Sequence, residues 1–135
     1  MRALEDLGKL ILRLAVAVLL VFHGIAKVRG GVGFIEGLLS NAGLPQVLAY
    51  GVFVAEILAP VLLILGVFTR PAAVVIVIDM VMAILLALRD QIGVIKEQGG
   101  GWAIELEMFF LLASFAIACL GSGRFALSRG MGRWD

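Results

Sequence analysis

The sequence predicts an all-α integral membrane protein: a four-helix transmembrane bundle, one domain over residues 1–135, with both termini on the same side. Three observations predict it. Hydrophobic residues make up 62% of the chain, against ~45–50% in soluble domains. Charged residues fall to 16%, below the usual ~25%. Apolar runs near 7–28, 45–66, 70–89 and 102–121 each approach the ~20 helical residues that cross a ~30 Å hydrocarbon layer.

Each element has its own punctuation. The first span holds Lys9, Arg13, His23 and Lys27 and stops at Arg29-Gly30-Gly31. Its length, and the lack of a closing cleavage site, read as a retained helix rather than a processed leader. Apolar residues at 34, 35, 38 and 39, with Glu36 opposite, predict a short helix lying at the membrane interface. Pro45 suits the first turn of the second span. Pro60 within that span releases a backbone carbonyl, which a bundle neighbour can satisfy. The turn at 66–70 is short enough to force an antiparallel third span, opened by Pro71 and closed by Arg89-Asp90. After a glycine-rich loop, Trp102 marks the start of the fourth, a residue type favoured at the membrane boundary. Gly121-Ser122-Gly123 ends it before a short basic tail.

Lysine and arginine set the orientation. Seven lie on the terminal side (Arg2, Lys9, Arg13, Arg70, Arg124, Arg129, Arg133) and four on the other (Lys27, Arg29, Arg89, Lys96). The positive-inside rule then places the termini in the cytoplasm.

Several chemistries are excluded. A net charge of +1 gives no bulk attraction to nucleic acid. The lone Cys119 cannot form an intrachain disulfide, a CxxC motif or a cysteine-held cluster. The lone His23 rules out a bis-histidine haem within one chain. No metal site and no covalently held cofactor are expected, so redox work would need a partner protein.

Every predicted span nonetheless carries ionisable groups, each costing roughly 2.5–3.5 kcal/mol at a helix centre. Such groups turn inward and find partners. Depth and rotation at 1.5 Å and 100° per residue suggest two clusters. A central one joins Arg13, Glu56 and Asp79 as structural ion pairs. An outer one joins His23, Lys27 and Glu105 or Glu107. Two readings stand side by side: ion pairs that only fix helix register, or a polar pocket that handles protons for a lipid-soluble molecule. Quinone is the natural example of the latter, because its carbonyl oxygens accept hydrogen bonds and its reduction takes up protons.

The pattern His23-Gly24-x-x-Lys27, Glu56 followed by Gly66-x-x-Thr69-Arg70, Glu105 after a glycine-rich loop, and Gly121-x-Gly123-Arg124 resembles the DoxX family of small four-helix bacterial membrane proteins. The likeness runs from about Arg13 to Leu127. It implies a multi-pass protein of the bacterial inner (plasma) membrane, associated with quinone-linked oxidoreductases. It also implies that His23, Lys27, Glu56 and Arg70 do the chemistry, with His23, Gly24 and Glu105 holding the quinone. The tail departs from the family's Gly-Pro-Gly exit and Ser-Leu-Asp ending, with Ser122 and Ala126-Leu127-Ser128 here. Asp79 and Glu107 match no element of the pattern. The expected function is therefore a membrane subunit of an oxidoreductase system that binds quinone. Its expected neighbours are the lipid bilayer and either a redox partner or a second copy of itself. The alternatives are a non-enzymatic scaffold or assembly factor and, with no inverted repeat to support it, a lipid or small-molecule transporter.

Overall fold

The computed structural model describes all 135 residues and is helical, its one β feature being an isolated bridge between Ile95 and Trp102. Helix α1 runs Arg2–Gly30 and α2 runs Gly33–Asn41. The third, α3, spans Gln46–Leu65. Helices α4 (Thr69–Ala87) and α5 (Glu105–Leu120) follow. Three of them, α1, α3 and α4, are long and apolar enough to cross a membrane. With 16 residues, α5 is about 24 Å long at 1.5 Å per residue. It starts three residues later than the apolar pattern predicts. Trp102 pairs with Ile95 across the loop and donates its indole N–H to the Ile92 carbonyl at 2.5 Å, which holds 102–104 outside the helix.

Sequence explains the breaks. Gly31, at φ 79, ends α1 in a conformation that favours glycine. Gly66, at φ 71, ends α3 while its N–H and that of Val67 bond back to the Leu62 carbonyl, a left-handed helix stop. Helix α3 is irregular. It opens as a tight 3₁₀ turn after Pro45 and widens to a π turn over Val54–Leu58. The cause of the π turn is Pro60. It has no N–H to give the Glu56 carbonyl four residues back, so the ladder there runs five residues back instead, Ala59 N–H to Val54 carbonyl. The carbonyl that a regular ladder would leave without the Pro60 donor is that of Glu56, inside the wide turn.

Helices α1, α3, α4 and α5 pack in an antiparallel ring, each against the next and α5 back against α1. Buried α1 positions Arg13, Val16, Ala17, Leu20 and Gly24 follow the three-and-four spacing of one helix face. They meet Leu63, Ile76, Phe110 and Ile117 in the core. Only 27 residues are buried. The outward faces of the long helices carry Leu19, Phe22, Ile78 and Phe109 more than half exposed. In water that would be a large aggregation surface; against acyl chains it costs nothing. The tail from Gly121 folds back across the end of the bundle that holds the 66–68 turn, where Leu127 N–H bonds the Leu65 carbonyl and Arg70 N–H bonds that of Trp134.

Candidate functional site

The polar centre forms where α1, α3 and α4 meet. Lys27 Nζ lies 2.5 Å from Glu56 Oε1. Glu56 is 3% exposed, and Asp79 on α4 lines the same cavity as it does. Glu56 Oε2 and Asp79 Oδ2 are both buried and without a donor. Taking one partner from a buried ion pair costs roughly 3–5 kcal/mol, so this group is built to stay together.

Local sequence sets up the meeting. A Cβ at Gly24 would lie 2.5 Å from the Glu56 backbone oxygen and 2.6 Å from Ile57 Cγ1. Only glycine lets α1 approach α3 at the π turn. One helical turn further along α1, Lys27 then reaches the Glu56 carboxylate.

Two cavities share Lys27 and Glu56 as a wall. The larger, about 650 Å³, runs between α2, α3 and α4, and 14 of its 18 lining residues are hydrophobic. Its polar members are Lys27, Glu56 and Asp79. The volume lies within the ~300–1,000 Å³ typical of small-molecule sites. The smaller, about 90 Å³, lies on the other side of Lys27 and Glu56 and is lined also by His23 and Glu107. There the His23 ring stands edge-on to Phe110, centroids 5.9 Å apart at 86°.

The sequence-predicted residues divide accordingly. His23, Gly24, Lys27 and Glu56 come together, and Asp79 joins them. Arg13 does not pair with Glu56. Its Nε donates to the Leu63 carbonyl at 2.8 Å, Nη1 to that of Ser122 and Nη2 to that of Phe125 at 2.9 Å. A guanidinium fork fits several carbonyls at once, and the ends of α3 and α5 supply them nearby. Arg13 is a clasp for the tail, and Lys27 takes the carboxylate assigned to it. Arg70 is likewise away from the site. It donates to the carbonyls of Ala118, Cys119 and Asp135, capping the C-terminal end of α5. Glu105 lines neither cavity; it is exposed at the start of α5 with its carboxylate beside Gly101. Glu107, one of the two acids weighed for the outer cluster, is the one that lines the small cavity.

The sequence reading missed the large cavity. Its signal was present: Phe34, Ile35, Leu38 and Leu39, the apolar face expected to lie on lipid, wall this cavity instead. Helix α2 covers one side of it.

The DoxX family model matches residues 8–89, a stretch that contains Gly24, Lys27, Glu56 and Asp79. The Putative oxidoreductase CatD of Bacillus subtilis (strain 168) is 30% identical over 122 residues, covering 90% of this chain and 85% of that protein. An uncharacterised protein of Haemophilus influenzae (strain ATCC 51907 / DSM 11121 / KW20 / Rd) is 33% identical over 119 residues, covering 86% of this chain and 84% of its own. No solved structure matches.

Proposed function

This chain belongs to the DoxX family, and we propose that it is a membrane-embedded subunit of an oxidoreductase system that holds a quinone in the large cavity. The single observation that carries the reading is the composition of that cavity: apolar walls with Lys27, Glu56 and Asp79 gathered within them. A quinone has the matching form. Its ring and isoprenoid tail fit apolar walls, and its carbonyl oxygens accept from the Lys27 ammonium or from a protonated carboxyl. The relationship to a protein named as an oxidoreductase supports the same class. In this reading electrons come from a partner protein.

In this reading α5 crosses the membrane with the other three long helices, its ~24 Å met by a slightly thinned bilayer. Four crossings put both termini in the cytoplasm, in line with the lysine and arginine asymmetry. The cavity then opens in the outer half of a bacterial inner membrane.

The test is equilibrium binding of a short-chain benzoquinone to the protein in lipid nanodiscs. Wild type binds, and Lys27→Met weakens binding by about tenfold, the loss of one charge-assisted hydrogen bond. Equal affinity in both, or no binding to wild type, refutes the proposal.

A further inference from the structure

Glu56 has one face in each of two cavities, and this placement suggests a role beyond holding a ligand. Asp79 lines only the large apolar cavity, and His23 and Glu107 line only the small one; Lys27, Glu56 and Ala83 belong to both. We propose that the small cavity is a hydrated proton-entry chamber, through which His23 and Glu107 exchange a proton with one held jointly by Glu56 and Asp79. The inference rests on this chain's own residues and needs no ligand in the large cavity, so it deepens the quinone reading without depending on its outcome.

Four observations carry it. First, Glu56 Oε2 and Asp79 Oδ2 are buried with no donor, and the two side chains line the same cavity. Two carboxylates offer only acceptors, and one proton between them satisfies both. Second, Lys27 is committed to the other oxygen of Glu56, at 2.5 Å, and its single charge balances one of the two acids. The pair plus Lys27 and one proton is neutral, the state a low-dielectric interior favours. Third, a chamber of about 90 Å³ has room for roughly three waters at ~30 Å³ each, and its polar walls supply the two to four partners that each needs. Fourth, two of the chamber's titratable wall residues reach the protein surface. His23 is exposed and Glu107 half-buried, the latter in the first turn of α5.

The charged and titratable groups facing the pair are few. Helix α1 brings Lys27 and His23, and α5 brings Glu107. Helix α2 presents only apolar residues, with Glu36 outside the cavity lining. Proton movement balances simply. An O–H bond at Glu107 breaks as one forms on a chamber water. That water passes a proton to Glu56, and the shared proton shifts toward Asp79. No electron moves. Asp79 is then positioned to give its proton to any basic oxygen in the large cavity, and the chamber replaces it.

Infrared spectroscopy of the full chain in nanodiscs, with no quinone added, tests this. Wild type shows a protonated-carboxyl C=O band at neutral pH that shifts on transfer to D₂O. Glu56→Gln and Asp79→Asn each abolish the band, because the remaining acid is left ionised against Lys27. His23→Gln combined with Glu107→Gln leaves the band in place but slows its deuteration by at least about tenfold, a positioned proton donor contributing roughly that or more. A wild-type spectrum without the band, a band that survives both single substitutions, or equal deuteration rates in wild type and the His23/Glu107 double variant overturns the proposal. Circular dichroism of each variant separates loss of the band from loss of fold. A protein that keeps the band and its exchange kinetics but binds no quinone leaves the chamber standing and removes the ligand reading alone.

Discussion

Replacing Gly24 with alanine tests whether α1 must touch the backbone of α3. The added Cβ would lie 2.5 Å from the Glu56 carbonyl oxygen and 2.9 Å from its carbon. Backbone cannot rotate away as a side chain can, so the helices must part by roughly 1 Å to restore ordinary van der Waals spacing. Overpacking of this kind costs about 1–3 kcal/mol. Alanine is also a better helix former than glycine by about 1 kcal/mol, which would mask part of the loss. Gly8 provides the control, being on the same helix with nothing within 4 Å of its missing Cβ. The propensity gain is common to both substitutions, so the difference between Gly8→Ala and Gly24→Ala reads the collision alone. At about 3–5 °C per kcal/mol for a chain near this size, a mid-range cost separates the two melting temperatures by roughly 5–10 °C. Thermal unfolding in one detergent, followed by circular dichroism, measures it. Coincident melting curves would refute the close approach and, with it, the placement of Lys27 against Glu56.

Other expectations follow from the same geometry. Lys27→Met destabilises more than Lys27→Arg, because it strands a buried carboxylate; the loss approaches the roughly 3–5 kcal/mol of a broken buried pair, reduced by the part-exposed lysine. Chemical unfolding of the two variants compares them, and equal stability would show the pair to be dispensable. Arg13→Gln frees the tail without disturbing the polar centre. Limited proteolysis should then cut within 121–135 in the variant first, and its stability loss should add to that of Glu56→Gln within about 0.5 kcal/mol, as for separate sites. Strong coupling between Arg13 and Glu56 would restore the ion pair that the sequence pattern suggested. Ala83→Phe, at the wall shared by the two cavities, should abolish short-chain quinone binding while the protein still inserts. With Cys119 replaced by alanine, a cysteine at Gly99 should react with an impermeant maleimide from the periplasm and one at Met131 only after the inner membrane is opened. Labelling of both from one side would mean that α5 does not cross.

The local features were legible in the sequence. Apolar composition, run lengths, prolines and glycines dictated five helices, an irregularity at Pro60 and the stop at Gly66, because each depends on neighbours within a turn or two; that the irregularity is a π turn only the structure shows. The same reasoning named Arg13, His23, Lys27, Glu56 and Asp79 as inward-facing, since an ionisable group in an apolar run has few other places to go. Which charge meets which could not be read that way. Depth along a helix counts residues, but a partner is chosen by side-chain reach and by helix rotation, which packing fixes. Arg13 sits at a depth that suits Glu56 yet spends its donors on the carbonyls of Leu63, Ser122 and Phe125, groups that carry no mark in the residue code. Arg70 likewise closes a helix end. The cavities were the least visible of all. They are gaps left where α2 folds over α3 and α4 and where α1 approaches α5, and a gap between distant segments exists only once those segments are brought together.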